Sequence, residues 1–144
     1  YNPIETLKVE EATIKMYFSS REDVPYYDAY KGKKPDYKKH RLIEYHVKIG
    51  NTGPRNKNCI LLIPLVPKEF NKYIIAEDKG FLMNVSKPKS GKIFSIELYY
   101  AYLTEGDPQK VKEIISKNNK AKIIWEEGGK KYEKIIDMKV KILD

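Results

Sequence analysis

Apolar and polar residues alternate along most of this chain. In "HRLIEYHVKIG", Ile43, Tyr45, Val47 and Ile49 fall on one side and Glu44, His46 and Lys48 on the other. That is a strand with one face in a core. It ends at "GNTGPRNKN", where Gly50, Asn51, Gly53, Pro54, Asn56 and Asn58 supply turn chemistry. The next segment, "CILLIPLV", is apolar throughout and is expected to be buried on both faces, with Pro64 at an edge or bulge because it cannot donate to a ladder. Upstream, the inward parity runs through Leu7 and Val9 and then slips to Ala12, Ile14, Met16 and Phe18, which predicts a bulge near Glu10 and Glu11.

Downstream, "NKYIIA" and "FLMNV" read as short strands separated by the "EDKG" turn. "IFSIELYYAYL" reads as a long strand with Phe94, Ile96, Leu98, Tyr100 and Tyr102 inward and Ser95, Glu97, Tyr99 and Ala101 outward. One helix is expected, over about 107–118: Asp107 caps it, Pro108 suits its first position, and Val111, Ile114 and Ile115 form the buried stripe. The pair Gly128-Gly129 fits a two-residue primed turn, which sets Glu127 opposite Lys130, Glu126 opposite Lys131 and Trp125 opposite Tyr132. The inward face then continues through Ile136, Met138, Val140 and Ile142.

Seven to nine short strands, frequent turns and one late helix predict an all-β fold, an antiparallel sandwich, in one domain over 1–144. "VKIGNTG" before an apolar strand, a short helix before the penultimate strand and a final hairpin resemble the immunoglobulin-like β-sandwich domains of bacterial secreted proteins and lipoproteins. The resemblance spans about residues 5–143. It implies an extracytoplasmic or cell-surface setting and brings no catalytic residues with it. The chain begins at Tyr1 rather than methionine, so an upstream signal or anchor is expected.

Candidate chemistry is sparse. The single Cys59 excludes an internal disulfide and is expected to act as a small core hydrophobe. His40 and His46, six strand residues apart, lie roughly 20 Å from one another and cannot share an ion. No serine lies in a nucleophile elbow, and there is no glycine-rich phosphate loop and no calcium-loop pattern. Adjacent carboxylates along a strand point to opposite faces. No enzyme activity, cofactor or metal is expected.

The charge changes the picture. The net charge is +8, and all but Arg21, Arg41 and Arg55 of the 28 basic residues are lysine. A basic balance favours an acidic partner, and the scarcity of arginine argues against reading of specific bases. A long loop, 19–39, shows no apolar periodicity. It and the start of the next strand interleave Tyr26, Tyr27, Tyr30 and Tyr37 with Lys31, Lys33, Lys34, Lys38, Lys39 and Arg41. Phenol rings that stack and ammonium groups that neutralise anions make these the candidate binding residues. The expected partner is a protein or an anionic polymer at the cell surface. Nucleic acid bound by the same loop is the first alternative, and a barrel carrying a small apolar ligand among Tyr45, Phe94 and Tyr102 is the second.

Overall fold

The computed structural model describes residues 1–18 and 38–143. Within them the chain forms strands β1 (Leu7–Tyr17), β2 (His40–Asn51) and β3 (Lys57–Pro64), a 3-10 helix (Lys68–Tyr73), and strands β4 (Ile74–Asp78), β5 (Met83–Val85) and β6 (Phe94–Glu105). Helix α1 (Pro108–Lys117) and strands β7 (Lys120–Glu127), β8 (Lys130–Asp137) and β9 (Lys139–Leu143) follow. A five-stranded sheet, order β4-β6-β2-β1-β9, faces a four-stranded sheet, order β5-β3-β7-β8. All pairings are antiparallel except β1 with β9. This is the expected all-β sandwich.

Local signals produce the local structure. Val9 pairs with Ile49 and Glu11 with Lys48, so Glu10 is the extra residue of a bulge that resets the parity of β1. The β7–β8 register sets Glu127 against Lys130, Glu126 against Lys131 and Trp125 against Tyr132, whose rings stack 6.0 Å apart. Gly128 and Gly129 sit at φ +58° and +78°, the left-handed region that this turn requires. Asp107 accepts the Gln109 amide at 2.9 Å, and α1 buries Val111 and Ile115 as it crosses between the sheets.

Three expectations need correction. Cys59 is exposed, because β3 bulges there and turns it to φ +52°; its amide is taken by Asn84 Oδ1 at 3.0 Å. β3 buries one face only, with Ile60 and Leu62 inside and Leu61 and Ile63 half-exposed. Ile142 does not complete an inward row; it lies 37% exposed on the edge strand β9. Pro64 fits as expected. It pairs with Ala121 of β7 beyond the reach of the three-residue β5, so its other side faces no ladder.

Among the described residues neither sheet closes, and β4, β9, β5 and β8 are the edge strands. Rings fill the interior between the sheets. Tyr45 meets Tyr102 edge-on at 6.1 Å, and Phe70 meets Tyr102 at 5.3 Å. Tyr45 and Tyr102, named for a barrel ligand, are therefore packed against each other. The Tyr45 hydroxyl, wholly buried, has no hydrogen-bond partner among the described residues.

Residues 1–6 close one end of the sandwich over a buried ion pair, Lys57 with Glu127. The Lys57 ammonium donates to the Pro3 carbonyl at 3.0 Å and to Thr6 Oγ1 at 2.9 Å, while the Tyr1 hydroxyl donates to Glu127. Burial, with Lys134 nearby, pulls the Lys57 ammonium down to about 8, and burial pushes Glu127 up. The contact between the two works against these penalties without reversing the direction of either shift.

Candidate functional site

The outward face of the five-stranded sheet follows from the registers. Its rung at the loop end runs Leu143, Tyr17, Leu42, Leu103 and Ala76 across β9, β1, β2, β6 and β4. The next runs Lys141, Lys15, Glu44, Ala101 and Asp78, and the third Lys139, Thr13, His46 and Tyr99. Glu11, Lys48 and Glu97 follow. The face is not uniformly solvated. Leu42, Ala101 and Leu103 are buried there and form a second apolar cluster with Tyr17, Ala76 and Tyr99.

That cluster converts an outward glutamate into a buried one. Glu44 has no exposed surface; Tyr99 donates its hydroxyl to Oε2 at 3.0 Å, His46 Nε2 lies 3.3 Å from Oε1, and Tyr17 adds a further hydrogen bond. Burial alone would raise its pKa, but the bonds from His46, Tyr17 and Tyr99 outweigh it and hold the carboxyl below its ordinary value. The other His46 nitrogen, Nδ1, lies 2.9 Å from Glu97 Oε1, and the ring meets Tyr99 edge-on at 5.3 Å. The bond to Glu44 raises the His46 pKa; burial opposes it, Glu97 adds to it and Lys15 works against it. Both ring nitrogens are engaged by carboxylates of the protein. The arrangement favours the charged form of the ring.

Beside it the face turns basic. Lys15 of β1 and Lys139 and Lys141 of β9 line a shallow groove of about 400 Å³ with Glu11, Ala12 and Thr13. Parallel pairing sets Lys15 directly beside Lys141, and Lys139 follows two residues along. Adjacent strands lie about 5 Å apart and alternate residues about 7 Å, so the three ammonium stems start within one small patch. Among the described residues none of the three forms an ion pair, whereas Lys48 meets Glu10 at 3.6 Å and His46 lies between its two glutamates. The patch keeps its positive charge.

Of the residues predicted for binding, Tyr26, Tyr27, Tyr30, Lys31, Lys33, Lys34 and Tyr37 lie outside the described residues. Lys38 and Lys39 lie in the turn before β2, and Arg41 is the second residue of that strand. Lys39 reaches Glu105 at 3.6 Å, and Arg41 donates to the His40 carbonyl at 2.9 Å. The described residues that flank the loop, Phe18 and Lys38, stand at the same end of the sheet: the Phe18 amide donates to the Leu143 carbonyl at 3.0 Å, one rung from Lys15 and Lys141. Lys15, Lys139 and Lys141 were missed from the sequence. Their signal was the alternation Ile14-Lys15-Met16 and Lys139-Val140-Lys141-Ile142, and what hid them was that their strands lie at opposite ends of the chain.

Among the described residues no group of histidine, cysteine and carboxylate side chains converges to hold a metal ion. No helix among them is long and apolar enough to cross a membrane. No protein-family model matches the chain, and no curated protein matches it.

Proposed function

We propose that this is a non-catalytic binding domain for an anionic polymer, gripped by the Lys15–Lys139–Lys141 patch together with the tyrosine- and lysine-rich segment 19–39, whose described flanking residues stand at the same end of the sheet. The observation that carries the reading is the patch: three lysines on two strands, without ion-pair partners among the described residues, one rung from the residues that flank the loop. Lysine presents a point charge without a fixed fork, which suits a partner defined by charge density more than by base sequence. The resemblance to secreted immunoglobulin-like domains supports placing that polymer at the cell surface.

Inorganic polyphosphate and single-stranded DNA serve as probes. The reading predicts that both bind, that affinity falls steeply with salt, and that K15Q/K139Q/K141Q and K31Q/K33Q/K34Q each weaken binding about tenfold or more. Binding that ignores salt, or is untouched by both triple variants, overturns it. DNA binding with strong preference among base sequences would instead favour the nucleic-acid reading.

A further inference from the structure

We infer that the connection from β4 to β6, Lys79–Ile93, is a docking edge for a lipid bilayer with anionic headgroups. Its fifteen residues carry Lys79, Lys87, Lys89 and Lys92 and no carboxylate. They also carry three of the most exposed large apolar side chains among the described residues: Phe81 at 79%, Leu82 at 63% and Ile93 at 50%. Single exposed apolar residues are ordinary, but an adjacent phenylalanine and leucine held in water are not, and lysines without acids select an anionic surface.

The exposure is built into the fold. Gly80 turns at φ +66° with its amide on Asp78 Oδ1 at 2.8 Å, and a Cβ there would stand 2.5 Å from the Tyr99 carbonyl oxygen. The chain leaves the edge of the large sheet at a fixed angle, and Phe81 and Leu82 follow at once. The segment is pinned beyond them: Asn84 holds the Cys59 amide, Val85 is buried, and the Lys87 amide reaches Asn56 Oδ1 at 2.8 Å. Lys89 and Lys92 then exchange backbone hydrogen bonds of 3.0 and 2.9 Å around Ser90 and Gly91, at φ +52° and +77°. This tight turn sets the two residues opposite each other, with the Lys92 ammonium 5.6 Å over the Phe94 ring.

β4 and β5 are edge strands of the two sheets, so the connection runs along one side of the sandwich. The Lys15–Lys139–Lys141 patch lies at the opposite edge of the large sheet, on β1 and β9. The two surfaces are independent. Apolar side chains standing out from a pinned connection that also carries four lysines fit the headgroup boundary of a bilayer, where rings and chains insert and ammonium groups meet phosphate.

The test is co-sedimentation with vesicles of phosphatidylcholine alone and of phosphatidylcholine mixed with phosphatidylglycerol. The protein is expected to bind the mixed vesicles, more weakly at high salt, and to ignore the neutral ones. F81S/L82S, which alters only exposed side chains, should lower binding about tenfold or more, and each lysine replaced among K79Q, K87Q, K89Q and K92Q should lower it about fivefold. A tryptophan at position 81 (F81W) should shift its emission to shorter wavelength on the mixed vesicles alone. No binding to mixed vesicles overturns the inference. So does F81S/L82S binding as well as the parent, or K15Q/K139Q/K141Q abolishing binding that F81S/L82S leaves intact, since the basic patch on the other edge would then be the contact.

Discussion

Glu44 shows how one residue's neighbours set its chemistry. Its parity on β2 points it away from the core, and a solvated carboxylate is the natural expectation. Leu42, Ala101 and Leu103 beside it make that side apolar too, and only His46, Tyr17 and Tyr99 make the burial tolerable. The linkage has a definite sign. His46 has a raised pKa in the fold, so its contribution is complete below its ordinary value of 6.5 and is lost as pH rises through the folded value. Glu44 has a lowered pKa, so its contribution is present above 4.5 and lost as pH falls. His46→Gln should therefore cost about 1–2 kcal/mol in urea denaturation near pH 5.5 and clearly less near pH 8.5. A gap that does not change with pH would contradict the paired geometry.

Two other residues allow equally sharp tests. The buried Tyr45 hydroxyl lacks a partner among the described residues, so Tyr45→Phe should be neutral or stabilising by up to about 1 kcal/mol. A loss greater than that would mean the hydroxyl is hydrogen-bonded. Lys57→Met leaves Glu127 buried without its cation and should cost about 3–5 kcal/mol, while K57M/E127M should recover much of that loss. Additive losses in a denaturation cycle would show that the two side chains do not interact.

Among the elements, those specified by near neighbours were legible in the sequence. The Gly128-Gly129 turn fixed the β7–β8 register, Asp107 and Pro108 fixed the start of α1, and the slipped parity at Glu10 marked the bulge. Gly129→Ala, with open space around the new Cβ, isolates the backbone strain at φ +78° and should cost about 1 kcal/mol in thermal unfolding. An unchanged midpoint would mean the turn is not primed. Pairings between distant segments were not legible. The parallel β1–β9 ladder joins residues more than 120 positions apart, and it alone brings Lys15 beside Lys141. Cys59 shows a related limit: an apolar run reads as buried, but the bulge beside it depends on how β3 meets β5 and β7 together.

For the whole molecule, the sandwich separates its tasks by surface. The interior between the sheets is sealed by rings and, at one end, by residues 1–6 over the Lys57–Glu127 pair. The outward face of the large sheet balances its acids around His46 and leaves the β1–β9 lysines without ion pairs among the described residues. The four-stranded sheet contributes stability. Two of its outward lysines, Lys120 and Lys122, are paired with Asp137 and Glu133, at 2.5 and 3.7 Å. The proposed reading places polyanion binding on one face. Backbone amide shifts recorded while the protein is titrated with inorganic polyphosphate test it most directly. The account predicts large changes at residues 12–18, 31–41 and 139–143 and little change along β3, β7 and β8. Changes centred on β7 and β8, or spread evenly over all exposed lysines, would contradict it.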